Sequence, residues 1–560
     1  MRRPFWLLFA LLAAALAANP ASKTEAPEPS FWAERPLQEL AGALLEQMSD
    51  REALGQVFMI GYLEREPSPE LLDWVLRRSL GGVKLFTRNV DTLEGLARSV
   101  RRLQEQAART RLGIPLFIAT DQEGGWVQHI RAGTSQTPGN IAIGAGGLPR
   151  DALLTGYYLG RELAALGINM NFAPDIDIYS NPSASIVGPR AFSSDPAATS
   201  LLALAYFKGL AQSGVIATAK HFPGHGQADL DSHGSLPVVD IGFEQLWERE
   251  LLPYRILIKE GLPAIMSAHL AYPRILGGLT PASRSPYLIE ELLRRRMAFD
   301  GLLITDDMEM YGALQGGLDT PRACQEALQA GSDIILVSHT PQTQDQTWER
   351  LEERMRRDPA FRLRVRTSAG RIVRQKLITF REAHFPLYPA RSLAGSVPAP
   401  GASEFFAESA ARSVTLVRPG LIPYSPRPGE RVLLAGQFED FLAEGLRRFP
   451  QAGTLSFPYL PFYSAPPEDL QRVPRAASGY DTVIFCLANY HSLQVLQQLR
   501  AGARRVIVIS VLSPVYLEEV PWIDGALAIY GTGPASFRAG FAALAGDFRP
   551  EGRLPIELAR

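Results

Sequence analysis

Between residues 56 and 338 the chain repeats one pattern eight times, a short apolar run followed in most cases by a longer amphipathic one. The short runs occupy residues 56–61, 82–86, 115–120, 168–174, 215–219, 263–268, 301–305 and 333–338. Each is five to seven residues long and rich in Ile, Val, Leu or Phe, as strands buried on both faces of a parallel sheet are. Helical stretches at 92–110, 150–166, 199–213, 243–260 and 320–330 separate most of them. Parallel strands need long crossovers, so this alternation over about 300 residues predicts an α/β fold, a (β/α)8 TIM-type barrel. A basic helical run at 361–382, just past Pro359, closes the unit, which is placed at 34–385.

Composition then shifts. Pro386, Pro389, Pro398 and Pro400, with Gly395 and Gly401, mark a linker over 386–402. Beyond it, apolar runs at 414–417, 431–434, 482–487, 506–511 and 526–530 predict a smaller α/β sandwich domain over 403–560. At the other end, Arg2 and Arg3 precede a charge-free apolar run at 5–18 and an Ala15-Leu16-Ala17 cleavage site. This reads as a signal peptide at 1–17 and a polar, Pro-rich linker at 18–33. The expectation is an exported protein, periplasmic or extracellular, with no stable membrane insertion after cleavage. A net charge of -1 from 57 basic and 58 acidic residues gives no global field for nucleic acid. Two distant cysteines, Cys324 and Cys486, exclude a disulfide framework and a cysteine-rich zinc site.

In barrels of this kind, chemistry collects at the carboxyl ends of the strands. Here nearly every strand end is polar: Asp121-Gln122-Glu123-Gly124-Gly125, Asp175-Ile176-Asp177, Lys220-His221, His269, Asp306-Asp307 and His339. One aspartate after a strand is an ordinary helix cap. Six clusters at the same end of one barrel are not explained that way.

Residues 220–233 are the densest stretch. Of 8 histidines in the chain, three lie there, His221, His225 and His233, on a glycine-rich loop able to move over a pocket. Two chemistries fit: a metal site built from these histidines and an aspartate, or a proton-transfer site using the Asp231-Ser232-His233 pair. Metal-dependent barrel hydrolases usually open with His-x-His after the first strand. That place here reads Gly61-Tyr62-Leu63-Glu64, which favours proton transfer without a metal or cofactor. At the seventh strand, Asp306 and Asp307 cannot both face the barrel mouth, because side chains alternate. Period alone does not choose between them.

Together these segments resemble glycoside hydrolase family 3, in its β-N-acetylhexosaminidase branch. The resemblance rests on Gly82-Val83-Lys84-Leu85-Phe86-Thr87-Arg88-Asn89, Asp121-Gln122-Glu123-Gly124-Gly125, Asn171-Phe172-Ala173-Pro174, Lys220-His221-Phe222-Pro223-Gly224-His225-Gly226 with Asp231-Ser232-His233, and Thr305-Asp306-Asp307-Met308. More loosely, Gly552-Arg553-Leu554-Pro555 is similar to the family's second domain.

The resemblance implies that Asp306 is the nucleophile and that Asp231 and His233 form a mobile-loop acid/base dyad. It implies that Asp121, Arg190, Lys220 and His221 bind the hydroxyls of the terminal sugar. The implied partner is a small glycan or glycopeptide, and the implied activity is exo-acting, retaining release of terminal β-linked N-acetylglucosamine from peptidoglycan-derived fragments. Two positions depart from the branch. It usually reads Gly-Gly-Arg-Val-Gln-Arg, whereas this chain has Trp126 and His129 in place of the arginines. That bears on the outer subsites more than on the chemistry. Rival readings are a β-glucosidase or glycoside phosphorylase on the same scaffold, a glycan-binding protein without turnover, and a metal hydrolase.

Overall fold

The computed structural model describes residues 30–184, 186–228, 234–461, 463–502 and 504–558. The leader at 1–17, most of the N-terminal tether, Asp231 and His233 lie outside the described residues.

Eight parallel strands close into a barrel. They are β1 (Phe58–Ile60), β2 (Gly82–Leu85), β3 (Phe117–Thr120), β4 (Met170–Asn171), β5 (Ile216–Phe222), β6 (Ala264–Ser267), β7 (Leu302–Asp307) and β8 (Ile334–Val337). They pair in chain order, with β1 beside β8. All eight coincide with the apolar runs read from sequence. Three strands differ from their runs near the polar strand ends. β4 stops short of its run because Pro174 has no N–H to give the ladder. β5 and β7 run past theirs, so Lys220, His221, Asp306 and Asp307 stand on strands rather than on loops.

The second sheet has six strands: β9 (Thr415–Arg418), β10 (Val432–Gly436), β11 (Gly453–Ser456), β12 (Thr482–Leu487), β13 (Arg505–Val511) and β14 (Gly525–Tyr530). Their order is β9-β14-β13-β12-β10-β11, parallel except for β9. Strand β11 is not visible in the sequence as an apolar run. It is an edge strand of four residues, Gly-Thr-Leu-Ser, that buries none of them fully.

The segments expected to be tethers are tied down where they are described. Phe31 is fully buried and stacks edge-on against Phe380, so the barrel unit begins before residue 34. In the 386–402 linker, Leu393 and Val397 join the barrel core, and the Ala399 N–H donates to Glu162 Oε1 at 2.9 Å. The chain end returns as well. Ser193 Oγ and the Ser194 N–H both donate to the Pro555 carbonyl, at 2.7 and 2.9 Å. Arg412 adds a two-armed bond to Asp151, and Tyr179 Oη meets Ser513 Oγ at 2.9 Å. These contacts fix the second sheet beside the barrel's carboxyl-end face. No described helix is long and apolar enough to cross a membrane.

One buried ion cluster stands out at the opposite end of the barrel. Asp333, fully buried at the start of β8, accepts from Arg294 (2.5 Å), Arg371 (3.1 Å), Arg364 (3.2 Å), Ser368 Oγ (3.0 Å) and the Leu303 N–H (3.0 Å). Burial alone would raise its pKa, but the three arginines outweigh it and hold the carboxyl below its ordinary range. Removing one partner of such a cluster strands the others, at about 3–5 kcal/mol. Asp333→Ala is therefore expected to lose about that much stability at neutral pH in a denaturant titration. A folded-state pKa below the unfolded one gives stability above the unfolded value, lost as pH falls through the folded value. The gap between wild type and variant should accordingly narrow in acid.

Candidate active site

The barrel mouth is built around one chain of buried charges. Asp121 follows β3 directly. Lys84 of β2 donates to its Oδ2, and Lys220 of β5 donates to its Oδ1. The Lys220 ammonium also lies 2.7 Å from Glu123 Oε1. Arg190, from the long loop after β4, grips Glu123 with both arms, Nε to Oε2 at 3.0 Å and Nη2 to Oε1 at 2.7 Å. The same Nη2 reaches His221 Nε2 at 3.1 Å.

That contact fixes the histidine tautomer. A guanidinium only donates, so His221 Nε2 accepts and the ring proton sits on Nδ1, which donates to Asp177 Oδ2 at 2.7 Å. Asp177 also accepts the His225 N–H at 2.6 Å. Asp121, Arg190, Lys220 and His221, the four residues expected to bind sugar hydroxyls, thus form one connected network.

The charges set each other's protonation. Burial would raise Asp121 and Glu123, but Lys220 with Lys84 in the first case, and Arg190 with Lys220 in the second, bring both below the usual carboxylate range. Burial would lower Lys220, and Asp121 and Glu123 reverse that, so it stays charged. Asp175 and Asp177 divide their roles. Burial and the neighbouring Asp177 push Asp175 up, whereas His221 and His225 overcome burial and keep Asp177 low. His225 is depressed to about 4 by burial and is neutral.

The two aspartates ending β7 have different surroundings. Asp307 is buried and committed: it accepts from Ser338 Oγ and from the Glu309 N–H at 3.0 Å, and His339 Nε2 lies 3.1 Å away. Asp306 is half-buried, and its carboxylate accepts the Asp307 N–H at 2.8 Å. Burial would raise its pKa, but the nearby His221 and His269 rings, that N–H and Lys220 bring it below the ordinary value. It stands as an anion close to His221 and Lys220 of that network. His269, kept neutral by burial, donates from Nε2 to the Asp307 carbonyl at 3.0 Å and accepts from Ser283 at Nδ1, which locks the turn of β7.

Among the described residues, Asp175, Asp177 and His221 place three donor atoms within 4.8 Å of one another, a geometry a cation could use. Arg190 already brings positive charge there, with Nε 3.4 Å from Asp175 Oδ2 in addition to its His221 contact. The loop carrying the expected dyad departs from a firm base. A Cβ on Gly226 would lie 1.7 Å from the Ile178 carbonyl oxygen, so only glycine fits, and Gln227 is held by Asn181 and Arg249.

Lys84, Glu123 and Asp177 had no role from sequence alone, although all three lie at strand ends. Of the two replaced arginines, His129 puts Nε2 3.6 Å from Asp121 Oδ2 and Nδ1 3.1 Å from Thr87 Oγ1. Trp126 points away, packing against the core of the second sheet.

The family profile described as "Glycosyl hydrolase family 3 N terminal domain" matches residues 49–374. A β-hexosaminidase of Methylococcus capsulatus is 36% identical over 306 residues, covering 53% of this chain and 87% of that one. "Beta-hexosaminidase A" of Pseudoalteromonas piscicida is 36% identical over 285 residues, 48% of this chain, but the match spans only about half of that protein, 47%. Among solved structures, a family 3 β-N-acetylglucosaminidase from a Paenibacillus species superposes with a TM-score of 0.82 at 28% identity, covering 91% of this chain and 99% of that one. A β-glucoside phosphorylase shares the fold at 23% identity, TM-score 0.78, over 95% of this chain and 98% of its own. With a family match across more than half its length, the chain belongs to glycosyl hydrolase family 3, and the charged network at its barrel mouth lies in that family's glycosidase domain.

Proposed function

We propose that the chain is an exported, exo-acting, retaining glycosidase that releases terminal β-linked N-acetylglucosamine, with peptidoglycan-derived fragments as its natural substrates. The observation that carries this reading is the contrast at the end of β7. Asp307 is spent on Ser338, His339 and the turn, whereas Asp306 is held as a carboxylate by the nearby His221 and Lys220 of the charged network. The β-hexosaminidase relatives support the sugar, and the leader at 1–17 supports export, which a mature chain beginning near Ala18 would bear out.

The geometry supports a double displacement. Asp121, Lys220 and Arg190 present charged hydrogen-bonding groups to the hydroxyls of the terminal ring, and their mutual ion pairs hold them in place. Asp306 attacks the anomeric carbon, its C–O bond forming as the glycosidic C–O bond breaks. The departing oxygen takes a proton from His233, whose charged form Asp231 favours. The neutral imidazole then takes a proton from water, which attacks the glycosyl-enzyme and frees Asp306 with retained configuration. A nucleophile on a strand and an acid on a loop meet opposite needs, since the first must not move and the second must let the sugar in.

Asp306→Ala is expected to lower kcat/KM by several orders of magnitude, since the covalent step is lost, while Asp307→Ala keeps far more activity. Steady-state kinetics on an aryl β-N-acetylglucosaminide measures both, and the reverse ranking would put the nucleophile at Asp307.

General acid help is worth about 10²–10⁴-fold when the departing oxygen is strongly basic, and little when it is an acidic phenol. His233→Ala should therefore lose about that much on N,N′-diacetylchitobiose and clearly less on a nitrophenyl glycoside, with glycosylation as the measured step. Equal losses on both would remove His233 from the acid position.

A further inference from the structure

Beside the carboxyl end of β5 lies a buried carboxyl that the double displacement does not use. The helix that follows this strand's loop opens with a π-helical turn, Leu246–Glu250, ahead of Leu251–Lys259. Adjacent residues on an α-helix do not face each other. Here the wider turn brings Arg249 Nε to Glu250 Oε1 at 2.7 Å. The Glu250 side chain is wholly buried, and among the described residues its Oε2 has no hydrogen-bond partner.

This pair holds both ends of the segment 224–227, which leads from β5 into the loop. Gly224, at φ +138, lies against Glu250: a Cβ there would be 2.8 Å from Glu250 Cβ and 2.9 Å from its Oε2. The Gly224 N–H donates to the His221 carbonyl at 2.8 Å, and its own carbonyl accepts the Tyr272 hydroxyl. At the other end, Arg249 Nη2 donates to Gln227 Oε1 at 2.9 Å. Between them the His225 N–H donates to Asp177, the carboxylate that holds His221 Nδ1. Glu250 thus stands behind Asp177, His221 and Arg190.

Resting on the glycosidase reading, we propose that Glu250 is a positioning residue for the sugar-binding network and acts as a neutral carboxyl, seating 224–227 so that His225 keeps Asp177 on His221. A buried carboxylate is tolerated only with close cations and hydrogen bonds to its oxygens. Glu250 has one arginine, shared with Gln227, on one oxygen. The other titratable groups on the elements around it add no positive charge. Asp177 is an anion, His225 is neutral, and burial keeps Tyr254 and Tyr272 as phenols. Burial, with Asp177, outweighs Arg249 and pushes the Glu250 carboxyl up to about 7. Loss of its proton puts a further buried anion near Asp177. The segment must then shift to admit water or to bring Arg249 round, and Asp177 and His221 shift with it.

The test is the pH profile of kcat/KM on a dinitrophenyl β-N-acetylglucosaminide, whose leaving group needs no proton, so the loop acid does not shape the alkaline limb. Wild type should fall about tenfold per pH unit beyond a midpoint of about 7. Glu250→Gln, which keeps the shape of the neutral carboxyl, should stay within about threefold of wild type at about pH 6 and hold that rate to about pH 9. Arg249→Met, which removes the cation favouring the charged form, should move the midpoint upward. A flat wild-type profile, an unmoved midpoint in Arg249→Met, or the same limb in Glu250→Gln would each overturn the role. The last result would give the limb to Asp175, which burial and Asp177 also push up to about 7. If Glu250→Gln does not fold, the wild-type and Arg249→Met profiles decide. A wild-type protein inactive at every pH would instead overturn the glycosidase reading, and this role with it.

Discussion

The structure depends on pairing charges that cannot be left alone out of water. Lys84, Lys220 and Arg190 are set against Asp121, Glu123, Asp175 and Asp177, all at or beneath the barrel mouth. Each ion costs several kcal/mol to bury, and only close opposite charge and hydrogen bonds return that cost. Three cations cannot neutralise four carboxylates, and the raised proton affinity of Asp175 relieves the excess. The partners come from β2, β3, β5 and the loop after β4, so the pairing forms only when the barrel has closed in its observed register. Barrel closure and the charged network are thus one event, and the network holds together without a ligand.

The same pairing sits beside a firmly held β7. β7 carries Asp306 on a strand hydrogen-bonded to both neighbours, with His269 and Asp307 locking the turn behind it. The loop expected to deliver the proton leaves from a glycine pressed on Ile178.

The barrel was readable in the sequence because parallel strands buried on both faces must be continuous apolar runs, and a run such as Phe117–Thr120 has no other use. Strand β11 was not, since an edge strand can be built from Gly453, Thr454, Leu455 and Ser456 with little burial. The linkers misled for a related reason. Proline-rich composition describes the backbone, not what it lies against, and Leu393, Val397 and Phe31 pack into the barrel core. At the site, Asp121, Lys220 and His221 were visible as strand-end polar residues. The choice of Asp306 over Asp307 needed the family resemblance, because a period of two gives opposite faces without saying which is inward. The burden carried by Glu123 and Asp177 could not be read at all, since their partners, Arg190 and His221, lie 67 and 44 residues away in sequence.

The most direct measurement is chemical trapping of the covalent intermediate. The protein would be incubated with an activated fluorinated N-acetylglucosaminide that forms the glycosyl-enzyme faster than it is hydrolysed, then digested and mapped by mass spectrometry. One added sugar is expected, on Asp306. A sugar found on Asp307 instead, or turnover of a natural disaccharide to the inverted anomer with no adduct, would contradict a double displacement through Asp306.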